Sequence, residues 1–385
     1  MSRTIASVGL QGQDVHLSLT AETAETADVT LPAVFLRDAC QCSGCLHPTT
    51  LQRIVDEIDP DIAPTSAAAS PDKTTLELEW PDGHRTAFSA VQLSQWCLAK
   101  PATQPRCSWS GDWMRAHLSE VTFAFDAVAG RGAATSSWLA ALQRYGLTKL
   151  TGAQEKFSEV ERLAAALRVP LRPTVYDEQT RTFRVAVKPN ANNQAYTSAA
   201  LPLHTDLPFY KAPPSVQLLH CVSQSEPSSG GESVFADGMY AVERLAQESP
   251  DDVEILHSHP VVFEDVDPSE QPRYHLEAVR PVLEALPGSP ERVVINLNNG
   301  VRASRPGAIP SRRHFHAVAR FRSTLSAEVF EQLASPGDIW VFDNRRVLHG
   351  RRAIAGPGGL RRALEGGYME WDDLEGLTRV LPGAS

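Results

Sequence analysis

The sequence predicts a mostly β protein with helices (α+β), in which a jelly-roll core follows a small β-rich N-terminal domain. Two observations support this. Short apolar runs separated by turn residues recur over the second half of the chain, as is typical of an antiparallel sandwich or jelly roll. Three cysteines cluster within six positions near the N-terminus, in a segment of different texture that suggests a separate metal-binding unit.

The N-terminal domain is predicted to span residues 1–99. Residues 14–19 and 74–80 alternate between apolar and polar side chains, as half-buried strands do, and residues 33–36 form a short apolar run. Residues 89–99 are a candidate closing helix. Two prolines in residues 100–106 indicate a linker, so the second domain is predicted to span 108–385.

The second domain is predicted to begin with helices at 133–145 and 157–167. The second of these starts with Ser158 and Glu161 in the spacing of a capping box. Further helical segments are predicted at 240–247 and 325–333. The strand candidates are residues 183–187, 216–222, 232–235, 261–263, 292–297, 338–342 and 363–369.

Composition excludes several classes of function. A net charge of -10 argues against a broad nucleic-acid or anionic-membrane footprint, which would require clustered Lys and Arg. No run approaches the roughly 18–20 apolar residues that span a bilayer. The first thirty residues carry acidic side chains and no basic segment followed by an apolar one, so a cytoplasmic location is expected.

Three dispersed residues predict a non-haem iron site. His204 and Asp206 are spaced so that both side chains point to one side of a strand, and His349 is a candidate third ligand. Such a set leaves coordination positions open for substrate and oxygen on Fe(II). Arg362, thirteen residues after His349, suits the far carboxylate of an iron-chelating keto acid. The alternative for Arg362 is a solvated basic cluster with its neighbouring arginines.

The cysteine cluster predicts a structural zinc site. Cys40, Cys42 and Cys45 can share one tetrahedral ion with a histidine. His47 and His84 compete for that position. We favour His84, because it lies in a turn between two strand candidates, whereas His47 is too close to Cys45 to fit without strain. The alternative is that these thiols are merely buried or redox-active.

Seven segments of the sequence resemble the γ-butyrobetaine hydroxylase and trimethyllysine hydroxylase family, Fe(II)/2-oxoglutarate-dependent oxygenases. They are LRDACQCSGCLHP at 36–48, NNQAYT at 192–197, LHTD at 203–206, VQLLHC at 216–221, GGES at 230–233, FDNRRVLHGR at 342–351 and LEGGY at 364–368.

The resemblance implies a double-stranded β-helix behind a zinc-binding domain. It implies Fe(II) on His204, Asp206 and His349, with Arg362 holding the distal carboxylate of 2-oxoglutarate. Structural Zn(II) would be bound by Cys40, Cys42, Cys45 and His84. O2 would be a cosubstrate, ascorbate a stimulant, and the protein a homodimer.

The resemblance also implies a substrate pocket with two ends. The aromatic cage for a trimethylammonium group would be formed by Tyr176, Phe183, Tyr196 and Tyr368. Phe183 stands where the family usually has tryptophan, and Leu207 where animal members tend to have tyrosine. The residues expected at the anionic end are Asn193, Asn298 and Asn299. The arginines that could add positive charge there are Arg184, Arg302 and Arg305; the alternative for them is a solvated loop.

The function expected from this resemblance is hydroxylation of γ-butyrobetaine to L-carnitine, coupled to decarboxylation of 2-oxoglutarate to succinate. A more basic anion pocket would instead favour 2-(trimethylammonio)ethylphosphonate, and trimethyllysine is a third candidate substrate. A hypothesis of another class is a catalytically inactive zinc-dependent binding protein. The complete set of predicted iron and cosubstrate residues argues against that hypothesis.

Overall fold

The structure is a computed structural model. It describes residues 3–20, 26–98, 105–176, 181–186, 194–267, 269–286, 289–304, 309–355 and 362–381. The chain divides into two compact units, Met1–Thr103 and Gln104–Ser385. Asn193 and Arg305 fall outside the described residues. None of the described helices combines the length and apolar character needed to cross a bilayer.

In the described part of the N-terminal unit there are two three-stranded antiparallel sheets and two helices. Its elements are β1 (Thr4–Gln11), β2 (Asp14–Thr20), β3 (Thr26–Pro32), α1 (Ala33–Asp38), β4 (Ser66–Ala69), β5 (Thr75–Glu79), β6 (Arg85–Ser89) and α2 (Ala90–Leu98). The strands expected at 14–19 and 74–80 are confirmed as β2 and β5, and the closing helix as α2. The apolar run at 33–36 is the helix α1.

A small apolar core stabilises this unit. The alternating pattern of β2 buries Val15, Leu17 and Leu19, as expected for a strand with one face on the core. Trp80 is 1% exposed, and its indole N–H donates to the Thr86 hydroxyl at 2.8 Å. The polar end of this large side chain is therefore satisfied where it is buried.

The second unit combines helices with many short strands. Its helices are α3 (Gly111–Ala116), α4 (Phe125–Ala129), α5 (Ala133–Tyr145), α6 (Glu159–Leu167), α7 (Gly238–Glu248), α8 (Pro250–Ser258), α9 (Arg312–Ala327) and α10 (Trp371–Val380). Its strands are β7 (Thr122–Ala124), β8 (Leu147–Thr151), β9 (Thr182–Ala186), β10 (Leu201–His204), β11 (Val216–Ser223), β12 (Ser233–Asp237), β13 (Pro260–Val266), β14 (His275–Pro281), β15 (Leu283–Leu286), β16 (Ser289–Ile295), β17 (Arg302–Ala303), β18 (Phe330–Gln332), β19 (Ile339–Asp343), β20 (Val347–Arg351) and β21 (Ala363–Met369).

Two sheets form the centre of this unit. The larger has the order β7-β8-β19-β11-β21-β9 and the smaller β10-β20-β12-β18. The Phe235 ring of β12 packs against Trp340 and Phe342 of β19, with centroids 5.0 and 5.4 Å apart, so the two sheets share one apolar core. This confirms the mostly β class with helices, although the described strands form separate sheets and no closed barrel.

Two local predictions are wrong. The capping box at Ser158 does not form, because Ser158 has φ 76° and its side chain makes no cap hydrogen bond. The Glu365 carboxylate of β21 instead accepts from the backbone N–H groups of Ser158 (2.7 Å) and Val160 (3.2 Å). Burial raises the pKa of Glu365, but His220 and these two N–H groups outweigh it and hold the pKa below its ordinary value.

The helix expected at 325–333 is also wrong, because α9 ends at Ala327 and β18 follows. Helix α9 begins where the Ser311 hydroxyl accepts from the His314 N–H at 3.1 Å. Its buried stripe is narrow, since Ala317, Phe321 and Leu325 alternate with many Arg and His side chains. The many Arg and His side chains make the helical spacing of its apolar residues hard to detect in the sequence.

A buried ion pair holds the loop that leads into β20. Arg346 donates to both carboxylate oxygens of Asp237, at 2.9 and 2.8 Å, and the two side chains are 2% and 0% exposed. Asp237 also accepts from the Trp109 N–H at 3.1 Å. Arg346 also donates to the carbonyls of Arg144 and Cys107, at 2.9 and 2.6 Å, so both buried charges have several partners and the pair anchors the loop before His349.

Candidate metal centre and active site

Two histidines and an aspartate converge at the edge of the smaller sheet. His204 ends β10 and lies directly opposite His349 of β20 in the antiparallel ladder, with imidazole centroids 4.3 Å apart. Asp206 follows just beyond β10. Its Oδ1 atom lies 3.1 Å from His204 Nε2 and 3.9 Å from His349 Nε2. The three ligand atoms are within 4.8 Å of one another, close enough to share one ion.

Asp206 is oriented by groups from the larger sheet. Its Oδ2 atom accepts from Gln217 Nε2 at 2.8 Å and from the Tyr368 hydroxyl at 2.7 Å. Gln217 and Tyr368 are ladder partners on β11 and β21, so the sheet register places both donors side by side. Oδ1 is thereby left facing the histidines, which suits a ligand that binds metal through one oxygen.

The backbone at Asp206 is fixed as well. The Asn344 side chain accepts from the Asp206 N–H at 2.7 Å and donates to the Asp206 carbonyl at 3.0 Å. The next residue, Leu207, has φ 59° and is 0% exposed. A left-handed conformation costs a non-glycine residue about 1–2 kcal/mol, which here is offset by the buried leucine side chain and the two Asn344 bonds.

The electrostatics favour the ligand forms of Asp206 and His349, whereas burial of His204 is outweighed by the effect of Asp206, which raises the pKa of His204. Burial and the neighbouring His204 lower the pKa of His349 to about 3, so its imidazole is neutral at pH 7. Burial alone would raise the pKa of Asp206, but the two imidazoles outweigh it and hold that pKa well below its ordinary range. His204 Nδ1 lies 2.8 Å from the Pro202 carbonyl, which favours a proton on Nδ1 and leaves Nε2 for the metal.

A cavity of about 570 Å³ opens onto the three ligands. Aromatic faces from Tyr176, Phe183 and Tyr196 line part of it. Tyr176 and Phe183 pack edge to face at 5.8 Å, and Phe183 stacks on Tyr368 at 5.4 Å. Tyr368 lies behind this wall and is 1% exposed, so its hydroxyl contacts Asp206 while its ring supports Phe183.

A glycine makes room for the Phe183 ring. Gly366 of β21 is the ladder partner of Phe183 of β9, and a Cβ atom at Gly366 would lie 2.2 Å from that ring. Any larger residue would push Phe183 into the cavity or away from it. Gly366 in the LEGGY segment is therefore required for steric reasons.

Two buried arginines line the same cavity, in contrast to the solvated cluster weighed as an alternative. Arg362 is 6% exposed, and its Nε makes no hydrogen bond to the described residues. Burial and the charge of Arg351 lower the pKa of Arg362 to about 10, so it remains a cation at neutral pH. Arg351 donates to the carbonyls of Ala195, Thr197 and Ala199, at 3.1, 2.5 and 2.7 Å, and so holds the loop that carries Tyr196.

The residues expected at the anionic end are only partly brought together. Asn298 and Asn299 line the cavity, whereas among the described residues Arg184 and Arg302 do not. Arg184 points outward from β9, because Phe183 takes the inner face and side chains alternate. Arg302 is exposed and donates to Asn299 Oδ1 at 3.2 Å. The arginines proposed to add charge there are therefore a wrong expectation, apart from Arg305, which is not described.

Sequence reasoning missed several residues of the site. Gln217 and Asn344 lie inside two of the family-like segments, which carried the only available signal for them, but their contacts with Asp206 depend on the tertiary structure. Asp265 and Arg322 line the cavity from β13 and α9. Nothing in their local sequence distinguishes them from surface charges.

The N-terminal unit holds a second cluster of metal-binding side chains. The Nε2 atom of His84 lies 3.2, 3.7 and 3.6 Å from the Sγ atoms of Cys40, Cys42 and Cys45. The expected hairpin is confirmed, because β5 and β6 pair on either side of His84. His47 is used elsewhere, since its Nδ1 accepts from two backbone N–H groups of the following turn. The four ligand atoms lie within 4.8 Å of one another.

Arg37 donates hydrogen bonds to this cluster and to the turn that carries His84. It donates to Cys45 Sγ at 3.2 Å and to Asp82 at 3.3 Å, and Asp82 in turn accepts from the His84 N–H at 2.9 Å. Three thiols and an imidazole form a donor set that is typical of closed, structural zinc sites. Burial raises the pKa of the Cys45 thiol, and Arg37 only partly offsets that effect, so holding the thiolate requires a bound cation.

Two family models match the chain. The model described as taurine catabolism dioxygenase TauD, TfdA family, matches residues 110–368, and the model described as gamma-butyrobetaine hydroxylase-like, N-terminal, matches residues 10–94. The first covers the unit with the triad and the second the unit with the cysteine cluster.

Curated relatives align over nearly the whole chain. Gamma-butyrobetaine dioxygenase of Homo sapiens is 32% identical over 365 residues, covering 91% of this chain and 90% of the relative. The protein of the same name from Pseudomonas sp. (strain AK-1) is 31% identical, covering 90% and 89%. Trimethyllysine dioxygenase, mitochondrial, of Homo sapiens is 28% identical, covering 90% and 82%.

A solved structure shares the fold. The crystal structure of asparagine oxygenase (AsnO) superposes with a TM-score of 0.50 at 19% identity, covering 73% of this chain and 89% of that one. At this identity the likeness concerns the fold alone.

Proposed function

The chain belongs to the TauD, TfdA family of dioxygenases, and from that premise we propose that it hydroxylates γ-butyrobetaine to L-carnitine. It is an Fe(II)- and 2-oxoglutarate-dependent dioxygenase. One observation carries the choice of substrate class. The cavity that opens onto the His-Asp-His cluster is walled by the aromatic faces of Tyr176, Phe183 and Tyr196.

His204, Asp206 and His349 would hold the iron. Two neutral imidazole nitrogens and one carboxylate oxygen form the donor set that non-haem Fe(II) oxygenases use. When bound, iron with 2-oxoglutarate and O2 supplies the oxidising power for C–H hydroxylation, while 2-oxoglutarate loses CO2 and becomes succinate. The chain's own contribution is to orient Asp206 through Gln217 and Tyr368.

Arg362 would hold the distal carboxylate of 2-oxoglutarate. Its guanidinium is buried, lines the cavity and forms no ion pair with the described residues. A buried cation without a partner is costly, and a dicarboxylate would satisfy it with a planar, two-pronged contact. Arg351 is less suited to this role, because it is committed to three backbone carbonyls.

The aromatic wall would bind the trimethylammonium group. A quaternary ammonium donates no hydrogen bond, so ring faces are its natural partners, each worth roughly 0.5–2 kcal/mol depending on desolvation. Tyr176, Phe183 and Tyr196 supply these faces, with Tyr368 supporting Phe183 from behind. Phenylalanine presents a weaker face than tryptophan. We therefore expect binding of the trimethylammonium group in this cage to depend on a negative charge as well.

The opposite end of the substrate would meet polar groups. Asn298 and Asn299 line the cavity, and Asn298 is held there by its side-chain bond to the Thr205 carbonyl at 3.2 Å. Arg322 of α9 also lines the cavity and forms no hydrogen bond or ion pair with the described part of the chain. A guanidinium in the cavity lining suits an anionic group, and it keeps 2-(trimethylammonio)ethylphosphonate as the second candidate substrate. Asn193 lies outside the described residues and stays a prediction.

We also propose that Cys40, Cys42, Cys45 and His84 bind a structural zinc ion. The four ligand atoms are close together, and the N-terminal unit has a small core for which a closed metal site would add stability. A homodimer and stimulation by ascorbate stay predictions. Sedimentation analysis of the purified protein and turnover with and without ascorbate test them.

The deciding experiment measures succinate formation with Fe(II), ascorbate and 2-oxoglutarate. γ-Butyrobetaine, trimethyllysine and 2-(trimethylammonio)ethylphosphonate are compared, with His204→Ala as the control. Turnover of γ-butyrobetaine that is abolished in the variant supports the proposal. Preferred turnover of the phosphonate would move the assignment to the second candidate, and no stimulation by any of the three would refute the substrate class.

A further inference from the structure

Asp265 places a carboxylate in the wall of the active-site cavity. It lies near the end of β13, is partly buried, and lines the same cavity as the aromatic side chains. The Tyr274 hydroxyl donates to its Oδ2 atom at 3.4 Å. Among the residues that the structure describes, no Lys, Arg or His nitrogen lies within 4 Å of this carboxylate, so it has no cationic partner in the chain.

Two other carboxylates near Asp265 in the cavity or in the sequence do have such partners. Asp206, the other described carboxylate in the lining, is enclosed by two histidines, Gln217 and Tyr368. Asp267, two residues after Asp265, does have a cationic partner, because Arg273 Nε donates to Asp267 at 3.0 Å. Asp265 alone among these carboxylates combines a position in the cavity with the absence of a positive charge beside it.

We propose that Asp265 is the counter-charge for the cationic end of the substrate, and so a specificity-determining residue that selects a trimethylammonium group over a neutral group of the same shape. This inference rests on the proposed function and deepens it. A partly buried carboxylate that lacks a positively charged partner costs free energy, and a bound cation reduces that cost.

The physical basis is Coulombic attraction without a hydrogen bond. A quaternary ammonium has no N–H, so it attracts the carboxylate only through charge, and the Tyr274 hydroxyl can keep its bond to Asp265 in the bound state. Asp265 also affects a side chain of the aromatic wall. Burial, Asp206 and Asp265 together raise the pKa of Tyr176 well above its ordinary value, and burial raises the pKa of Asp265 itself.

The test compares Asp265→Asn with wild type on two substrates of equal shape. They are γ-butyrobetaine and 5,5-dimethylhexanoate, in which carbon replaces the quaternary nitrogen. We expect the variant to raise KM for γ-butyrobetaine about tenfold, equivalent to about 1.4 kcal/mol, and not to raise KM for 5,5-dimethylhexanoate, whose tert-butyl end carries no charge. Glu264→Gln is the matched control, because it removes the adjacent carboxylate, which pairs with His275 at 3.0 Å and does not line the cavity.

One further measurement, made on two variants, keeps the inference separate from the proposed function. Tetramethylammonium binding to the iron-loaded protein, measured by calorimetry, should weaken in Asp265→Asn and be partly restored in Asp265→Glu, whichever substrate the enzyme turns over. Equal changes in KM for γ-butyrobetaine and 5,5-dimethylhexanoate, or unchanged tetramethylammonium binding, would overturn the role of Asp265. If wild type converts no trimethylammonium substrate, the proposed function fails, and the tetramethylammonium measurement still decides the inference.

Discussion

Removing the Tyr368 hydroxyl should weaken iron binding without disturbing the aromatic wall. In Tyr368→Phe, Asp206 Oδ2 loses the donor at 2.7 Å and keeps only Gln217 at 2.8 Å. The ring itself remains, with its stacking on Phe183 at 5.4 Å. The substitution therefore separates the orientation of the metal ligand from the shape of the substrate pocket.

The expected magnitude follows from the charge on Asp206. A hydrogen bond to a charged group contributes about 1.5–3 kcal/mol, and each 1.4 kcal/mol is a factor of ten in an equilibrium constant. Iron affinity should therefore fall by about 10–100-fold, the range expected when a group that orients a metal ligand is lost. At saturating Fe(II), KM for the substrate should change by less than about threefold, because the Phe183 face is retained.

Anaerobic Fe(II) titration by calorimetry measures the affinity, and succinate formation across a range of Fe(II) concentrations gives an independent value. Tyr145→Phe is a matched control. Tyr145 is also a buried tyrosine of the same core, but it lies on α5 and contacts none of the iron-binding residues. If Tyr368→Phe binds Fe(II) as tightly as wild type, the hydroxyl does not hold Asp206 in place, and the reasoning is refuted.

Three further perturbations test other parts of the molecule. His84→Ala should reduce the zinc content of the purified protein and lower the melting temperature of the N-terminal unit, whereas His47→Ala should retain the metal; elemental analysis and thermal unfolding measure both. Asp237→Ala leaves Arg346 charged and buried, and should lower the free energy of unfolding in urea by about 3–5 kcal/mol. The pKa of Glu365 is depressed on folding, so its ionised form stabilises the protein above its ordinary pKa of about 4.5, and this contribution is lost as pH falls through the lower folded value. Glu365→Gln should therefore cost about 1–2 kcal/mol at pH 7, a difference that shrinks on acidification and is measured by urea unfolding at several pH values.

Specific outcomes would contradict these three predictions. Loss of zinc from His47→Ala but not from His84→Ala would exchange the assigned ligands. An Asp237→Ala variant as stable as wild type would mean that the Asp237–Arg346 pair does not hold the loop before β20. A stability difference for Glu365→Gln that grows toward low pH would reverse the sign of the linkage and show that the carboxylate is not held in its ionised form.

Local sequence predicted most helices and strands in which the apolar residues recur at the spacing of the buried face. Helix α5 and strands β2, β11 and β21 were predicted within one or two residues, because each has a strong apolar pattern on the face that meets the core. Helix α9 was misplaced, because its buried stripe is interrupted by charged and imidazole side chains that neighbouring elements accommodate. The capping box at Ser158 failed for a related reason, since Glu365 from a distant strand supplies a better cap than the local side chains.

The sequence by itself determined which residues can bind metal. The residue types and short spacings of Cys40, Cys42 and Cys45, and of His204 and Asp206, limit the chemistry to particular ions. His349 and His84 were reached with the help of predicted strands and a hairpin, because their partners are far away in the chain.

Only the tertiary structure decided what surrounds those ligands. The register of β11 against β21 puts Gln217 and Tyr368 on one carboxylate oxygen of Asp206, and the packing of β13 brings Asp265 into the cavity. These contacts join residues up to 162 positions apart. A charge or an amide at one position looks the same in sequence whether it faces solvent or a buried ligand, because its role is set by the neighbours that folding brings to it and by the water that folding removes.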